Sequence, residues 1–447
     1  MIFAVVTIVG FGYAIMQFAK IRKNIFLGKA EEIKGDAGER WRNVLLVALG
    51  QRKMFQRWIP AVLHFFIYAA FLITQIELIE IFADGFLGHH RIFSHPLGGF
   101  YTFIISFIEI LSVLAFVGTV SFLIRRNVIK VKRFQSPEMK GWPFKDGNLI
   151  LIFELLLLLG IFSMNGADIV LQSRGVEHYA ATGNFAISSW MGPALFGGLS
   201  DGALMGLERF GWWLHYLMVI VFLNYLPKSK HLHIIFAFPN TYYAPLRPRG
   251  EMENMPAIMD EVKSMMGLTE EVPPEEMSED FPEFGASDIF DFGWTTILAS
   301  YTCTECGRCT SECPANITGK KLSPRKIMMD IRDRTEEVAM NIASGNVEFA
   351  KEKDQPLSKD NYDDGKNLFE RITKEEIWAC TTCNACIEAC PVLIRPMDAI
   401  LEMRRYELLT LSQGPQDLMP LFNSIENGGS AWAMSVDRDQ WVRDVNG

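Results

Sequence analysis

The sequence has 447 residues, which predicts two or three structural units and not one compact domain. Residues 1–249 carry 24 Lys+Arg against 15 Asp+Glu, whereas residues 250–447 carry 19 against 37. An apolar, basic first part followed by an acidic second part favours a membrane-embedded unit joined to a water-soluble one. This asymmetry argues against a secreted disulfide-bonded protein, a nucleic-acid-binding protein and a wholly soluble enzyme.

Five apolar segments are long enough, or nearly so, to cross a hydrocarbon core of about 30 Å, which takes about 20 residues. They are 1–20, 58–83, 100–124, 148–171 and 210–227. The loops at 20–57 and 125–147 hold 10 and 7 Lys+Arg, while those at 84–99 and 172–209 hold one and two. Because positive loops face the cytoplasm, we expect a multi-pass protein of the inner (cytoplasmic) membrane with its acidic part in the cytoplasm.

Histidines lie at matching depths of two predicted spans. His64 is about two turns into the second segment from its cytoplasmic end, and His231 and His233 follow the cytoplasmic end of the fifth. This arrangement suits bis-histidine ligation of haem b by His64 and His233, with His231 as the alternative to His233. His215 would lie about 27 Å from His233 along a helix, so it cannot share that haem. The competing interpretation is that all four are ordinary interfacial histidines.

A second haem would need a partner for His215 near the opposite, outer face. Thr74 occupies the position of matching depth on the second segment, and four histidines of the outer loops remain as candidates: His89, His90, His95 and His178. The sequence therefore predicts one or two haems. Glu77 and Glu80 lie on one helical face at this depth. Together with His95 they are the predicted quinone and proton site, although carboxylates that merely pair with loop cations are an equal alternative.

All 8 cysteines lie beyond residue 300, in two copies of the spacing C-x2-C-x2-C-x3-C-P. In this motif three cysteines bind one [4Fe-4S] cluster, and the fourth binds the other cluster. The predicted ligand sets are Cys303, Cys306, Cys309 and Cys390 for the first cluster, and Cys380, Cys383, Cys386 and Cys313 for the second. Zinc is the alternative metal, but the C-x3-C-P ending argues against it.

The predicted fold class is all-α: a five-span transmembrane helix bundle followed by a cytoplasmic α-helical dicluster ferredoxin domain. Residues 314–379 separate the cysteine motifs and contain helix-like stretches at 323–343 and 346–353. The predicted units are a membrane unit at 1–243, an acidic linker at 244–300, a ferredoxin unit at 301–412 and a tail that docks a partner at 413–447. The linker contains an acidic run from Glu270 to Glu283. No glycine-rich nucleotide motif is present.

The segments Leu214-His215-Tyr216 and Leu226–Ile234 resemble the haem b gamma subunit of respiratory nitrate reductase. That resemblance implies two haems held by histidines of the second and fifth spans. His64, His215 and His233 stand at three of the four ligand positions, and Thr74 stands at the fourth. The helical insertion between the cysteine motifs resembles the C subunit of heterodisulfide reductase, which implies an α-helical ferredoxin domain.

The segment Phe284–Cys303 resembles the join in membrane-bound iron-sulfur oxidoreductases of the electron-transfer-flavoprotein:menaquinone type. Members of that family continue into a cysteine-rich unit related to heterodisulfide reductase D/B. No cysteine follows Cys390, and residues 430–441 resemble the stretch that leads into this unit. The resemblance therefore implies a separate cysteine-rich subunit docked on the tail.

These features predict a membrane electron-transfer subunit of a quinone-linked oxidoreductase complex. An electron transfer flavoprotein or similar donor would supply electrons, the two clusters and haem b would carry them, and menaquinone or another quinone would exchange them in the membrane. One alternative reverses the flow, with quinol feeding a heterodisulfide-reductase-like or sulfur-metabolism partner. Another is a membrane-anchored ferredoxin without haem.

Overall fold

The computed structural model describes residues 1–268, 284–432, 437 and 439–446. Within these ranges the regular structure is helical, and pairing between extended segments is limited to two isolated bridges, Lys29 with Gly293 and Ala350 with Tyr362. The all-α class predicted from the sequence is confirmed. The acidic run at 270–283 and part of the ending at 430–441 lie outside the described residues.

The first ten helices build the membrane bundle and the connection that follows it. They are α1 Ile2–Ile25, α2 Ala37–Asn43, α3 Trp58–Ile73, α4 Gln75–Leu87, α5 Ser94–Leu97, α6 Gly99–Asn127, α7 Trp142–Ser173, α8 Ser188–Phe196, α9 Asp201–Tyr225 and α10 His233–Tyr243.

Five helical segments are long and apolar enough to cross a membrane, and this confirms the predicted number. They are Ile2–Ile25, Trp58–Leu87, Gly99–Asn127, Trp142–Ser173 and Asp201–Lys228. The second is divided at Thr74, where α3 ends and α4 begins. The fifth begins earlier than predicted, at Asp201, because the Ser200 side chain accepts a hydrogen bond from the Ala203 amide and caps the helix.

Large apolar side chains cover the outer surface of these helices, where lipid would surround them. Examples are Ile8, Phe103, Phe116, Leu159 and Val221. Within the bundle, α7 packs along α9 and α3 packs along α6. Helix α3, which carries His64, is not closely packed against α9, which carries His215, or against α10, which begins at His233.

The remaining helices form the ferredoxin domain and the tail. They are α11 Pro256–Met265, α12 Trp294–Thr302, α13 Arg308–Glu312, α14 Pro314–Ile317, α15 Pro324–Ser344, α16 Lys374–Trp378, α17 Ala385–Ala389, α18 Pro396–Arg405, α19 Met419–Gly428 and α20 Gln440–Asn446. Helix α15 matches the stretch predicted at 323–343. The helix predicted at 346–353 is wrong: only a 3-10 turn forms at Val347–Phe349, where the Asn346 side chain accepts from the Glu348 amide.

The membrane bundle and the ferredoxin domain share one hydrophobic core. Ile21 and Ile25, at the end of α1, pack in the same cluster as Ile297 of α12 and Ile327 of α15. Residues 284–300, placed in the linker from the sequence, contribute several buried side chains to this core. The ferredoxin domain is therefore fixed against one end of the bundle, and the opposite end is called the distal face below.

Candidate functional site

The first cysteine set lines a cavity between α13 and α17. Cys303, Cys306, Cys309 and Cys390 all face it, so the fourth cysteine of the second motif joins the first three of the first motif. Burial raises the pKa of Cys303 to about 12, even though the Glu305 amide lowers it. Buried thiols of this kind lose their protons only when a metal binds them.

The second cysteine set is assembled in the same crossed way. Cys380, Cys383 and Cys313 are the cysteine neighbours of Cys386, whereas Cys306 is the cysteine neighbour of Cys390. In the described parts of the chain, no three His, Cys, Asp or Glu side chains converge as the ligands of a single ion would. Four thiolates around a cube-shaped cluster bind four different irons, so they need not converge on one point.

The two motifs have the same backbone shape. The second and fourth residues after the first cysteine of each motif have positive φ angles: 51° at Glu305, 68° at Gly307, 53° at Thr382 and 62° at Asn384. These left-handed residues turn the chain around the space between the cysteines. Amides already point at sulfur, since the Ile394 N–H lies 3.2 Å from Cys390 Sγ and donates to it. Both cavities therefore fit a [4Fe-4S] cluster.

The first cavity faces the membrane bundle. Arg308 donates to the backbone carbonyls of Lys53 and Met54, in the loop before α3. Arg325 donates to Glu138 Oε1 at 2.6 Å, in the loop between α6 and α7. These basic side chains surround the first cysteine set, where they offset the negative charge of a thiolate-bound cluster.

Three of the predicted haem ligands share one hydrogen-bond arrangement. The Nδ1 atom of His64 lies 3.2 Å from Gln51 Oε1, that of His233 lies 2.9 Å from the Lys230 carbonyl, and that of His215 lies 3.1 Å from the Leu157 carbonyl. Because carbonyl oxygens only accept, each Nδ1 carries the proton and donates it. Each ring then offers the lone pair of Nε2, which is the form in which histidine binds haem iron.

The structure brings His64 together with the pair that follows α9. His233 and Arg308 are neighbours of His64, and the rings of His231 and His233 lie 5.5 Å apart. Burial lowers the pKa of both His231 and His233, so both rings are neutral. His231 Nδ1 is buried without a hydrogen-bond partner, whereas His233 Nδ1 is anchored. The anchored ring favours His233 over His231 as the ligand.

His215 lies where α7 and α9 approach most closely. A Cβ atom on Gly160 would lie 2.9 Å from the Cβ of His215, and one on Gly211 would lie 2.7 Å from the Gly160 carbonyl. Glycine at both positions allows this contact. Over the described residues, no hydrogen bond, ion pair or ring contact joins His215 to another histidine, and Thr74 lies at the junction of α3 and α4.

The predicted quinone site is brought together only in part. Glu77 and Glu80 are both buried, and Glu80 accepts from the Tyr101 hydroxyl at 2.7 Å and from the Phe93 amide. His95 is exposed. Sequence reasoning missed the partners that surround the two glutamates, Arg91 and Asp168 above all. One signal was available for Asp168, since an ionisable residue inside an apolar span is a functional candidate.

An ion pair connects the loop after α9 to the loop of the first cysteine motif. Lys230, just before His231, lies with its Nζ 2.5 Å from Oε2 of Glu305, which stands between Cys303 and Cys306. Arg332 binds the other oxygen of Glu305 at 3.0 Å. Burial raises the pKa of Glu305, but the two cations outweigh it and hold that pKa below its usual value. The carboxylate is therefore charged at neutral pH.

Comparison with known proteins identifies the cysteine-rich part of the chain. Residues 302–394 form a 4Fe-4S dicluster domain. The domain covers both cysteine motifs and the helical insertion between them. Its presence supports iron-sulfur clusters as the cofactors of these cysteines.

The relatives are iron-sulfur oxidoreductases. The probable iron-sulfur-binding oxidoreductase FadF of Bacillus subtilis is 28% identical, over 99% of this chain and 60% of its own. The EtfAB:quinone oxidoreductase of Syntrophomonas wolfei is 25% identical, over 93% of this chain and 56% of its own length. A probable membrane-anchored ferredoxin of Chromohalobacter salexigens is 33% identical, over 29% of this chain and 19% of its own length.

The resemblance to iron-sulfur oxidoreductases stated from the sequence is confirmed by these relatives. The chain spans about three fifths of the length of the first two relatives. No solved structure matches the chain.

Proposed function

We propose that the chain transfers electrons between a partner protein at the ferredoxin domain and a quinone in the membrane, with two [4Fe-4S] clusters and haem b as carriers. One observation supports the proposal most: the first cysteine cavity lies beside the loop that leads into α3, the helix of His64. Arg308, next to Cys309, bonds the loop before α3 and is a neighbour of His64. The shared hydrophobic core fixes this arrangement.

The chain's own residues have separable roles in this function. Cys303, Cys306, Cys309 and Cys390 hold one cluster, and Cys380, Cys383, Cys386 and Cys313 hold the other. When bound, the clusters and the haem accept and release single electrons. Backbone amides at sulfur and the surrounding arginines stabilise the bound charge.

His64 and His233 are the proposed ligands of the haem nearer the ferredoxin domain. His215 is the proposed ligand of a second haem nearer the distal face, and its partner is unassigned. Support for both comes from the anchored Nδ1 atoms described above. Haem loss in His215→Ala, with the other haem retained, would support a second site; an unchanged haem content would contradict it.

The partners follow from the relatives and from the loop charges. We propose an electron transfer flavoprotein as the electron donor and menaquinone as the quinone. We also propose a cysteine-rich subunit of the heterodisulfide reductase D/B type that contacts the donor. The basic loops support a ferredoxin domain in the cytoplasm and a bundle in the inner membrane.

Purified protein tests this function directly. Iron, haem and EPR signals are measured after reduction by dithionite and, separately, by a soluble menaquinol analogue in detergent. The proposal predicts haem b bands and two [4Fe-4S] signals, with the bands responding to the quinol. Clusters without haem bands would instead identify a membrane-anchored ferredoxin.

A further inference from the structure

A dense group of polar side chains is buried inside the bundle near the distal face. Its acidic members come from α4, α6, α7 and α9, and a single arginine of the loop after α4 lies among them. We call the following set the distal cluster: Glu77, Glu80, Asp84, Arg91, Glu109, Asp168 and Glu208. Each of these side chains belongs to a residue that is at most 9% exposed.

Arg91 is the centre of the distal cluster. Its guanidinium donates to Asp168 Oδ2 at 2.5 Å, to the Asn165 amide oxygen at 2.6 Å and to the Tyr101 hydroxyl at 2.9 Å. The Tyr101 hydroxyl donates a hydrogen bond to Glu80 at 2.7 Å, and Asn165 donates to Glu109 at 3.3 Å. These bonds join α4, α6 and α7 and the loop after α4 into one hydrogen-bonded group.

The distal cluster contains far more acid than base. Six buried carboxyl groups face one buried guanidinium, and the nearest additional cation, Arg209, is about half exposed. Six carboxyl groups cannot all remain charged beside one guanidinium inside a membrane, because each uncompensated charge would cost several kcal/mol. The group therefore holds protons.

Glu77 is the most weakly hydrogen-bonded member. Neither of its buried carboxyl oxygens accepts a well-formed hydrogen bond, and Asn165 is the one side chain close enough to donate to it; Arg91, Glu80 and Glu109 are its charged or acidic neighbours. A buried carboxyl group in this condition is free to donate to or accept from a bound molecule. Glu77 also lies on the second span, which carries His64 further toward the ferredoxin domain.

His90 connects the distal cluster to the outside. Its Nε2 lies 3.6 Å from Asp168 Oδ1 and 3.8 Å from Glu208 Oε1, and neither of those oxygens has a hydrogen-bond partner. The remaining charged or titratable groups that face it are Arg91, Arg209 and Tyr179. The imidazole is 18% exposed, so it touches both solvent and the buried acids.

We propose that His90, Asp168 and Glu208 carry protons between the distal face and Glu77, and that Glu77 exchanges them with the quinone. The proposal rests on the function proposed above. Reduction of a quinone to quinol consumes two electrons, supplied by the partner through the clusters and haem, and two protons, which the distal cluster supplies. In the reverse direction the quinol releases two electrons to the partner and two protons to the distal side.

The test uses the full protein with its cofactors, reconstituted in vesicles with a menaquinone analogue and a pH-sensitive dye. Glu77→Gln keeps the shape of its side chain and His90→Asn keeps a polar side chain, but neither new side chain can exchange a proton. We expect each to slow quinone turnover by at least about tenfold and to change its pH profile, with unchanged reduction of the clusters by dithionite. The dye should report proton exchange on the distal side.

Glu154→Gln is the matched control. Glu154 is a carboxyl group on α7, about 21 Å along the helix from Asp168. Its variant should turn over quinone as the unmodified protein does. Wild-type turnover rates and pH profiles in both Glu77→Gln and His90→Asn, or proton exchange on the ferredoxin side, would overturn the proton route while leaving the quinone function intact. Absence of quinone turnover in the unmodified protein would overturn both.

Discussion

Lys230 and Glu305 form a buried ion pair of 2.5 Å that joins the membrane bundle to the ferredoxin domain. Lys230 precedes the histidine pair after α9, and Glu305 lies inside the first cysteine motif. The lysine also donates to the Pro143 carbonyl at 2.6 Å, so it ties α7 to the same point. The distance between the proposed haem and the first cluster is set by this contact and by the core beneath it.

Loss of one member of this pair should loosen the two domains. In Glu305→Gln, Lys230 and Arg332 lose their shared carboxylate inside the protein, and we expect a cost of about 3 kcal/mol. The double variant with Lys230→Met should cost less than the sum of the single variants. Thermal unfolding of all three proteins measures this coupling.

The exposed pair of Lys321 and Glu375, also 2.5 Å apart, is the control. Its removal should change the unfolding temperature very little, since solvent screens an exposed pair. Equal effects at the exposed and buried pairs would contradict the role assigned to Glu305.

Acid should weaken the same contact. The pKa of Glu305 is lowered from its usual 4.5 in the folded protein, so its contribution is fully present above that value. As the pH falls through the lowered folded pKa, protonation removes the contribution. Glu305→Gln should therefore abolish part of the acid-induced loss of stability, and parallel acid denaturation curves for the variant and the unmodified protein would refute this.

The crossed cysteine sets predict which cluster each substitution damages. Cys313→Ser should damage the cluster of Cys380, Cys383 and Cys386, although it lies in the first motif. Cys390→Ser should damage the cluster of the other motif. EPR spectra and iron content of the reduced variants separate the two signals. Cysteines that affect only the cluster of their own motif would exclude crossed ligation.

The proposed haem nearer the ferredoxin domain depends on His64 and His233, and not on His231. His64→Ala and His233→Ala should remove the same haem b component, because each would leave the iron without one axial ligand. His231→Ala should retain it, since His231 lacks an anchored Nδ1. Difference spectra measure the haem, and intact iron-sulfur signals show that the variants fold. Full haem b in His64→Ala would rule out this ligand pair.

Apolar length and cysteine spacing predicted most of the architecture. Both are local properties, so the five spans and the two cysteine motifs can be recognised from short windows of sequence. The early start of the fifth span was missed because Arg209 and Glu208 lower its hydropathy. Glu208 is buried in the structure against His90 and Tyr179, and these are tertiary contacts that no local window contains.

The distal cluster shows why the remainder was not predictable. Arg91 meets Asn165 and Asp168, which lie 74 and 77 residues further along the chain. Their meeting depends on how α4, α6 and α7 pack, which periodicity does not determine. His90 and His95 are likewise equivalent in the sequence, and only the folded loop places His90 against the buried acids and His95 at the surface.

The most direct test of the central claim is the reduced-minus-oxidised visible spectrum of the purified protein after addition of a menaquinol analogue. Electron transfer between quinone and clusters predicts sharp haem b bands that appear with the quinol and disappear when an oxidant draws electrons through the ferredoxin domain. A preparation with both [4Fe-4S] clusters intact but no haem b bands, with or without quinol, would contradict the account.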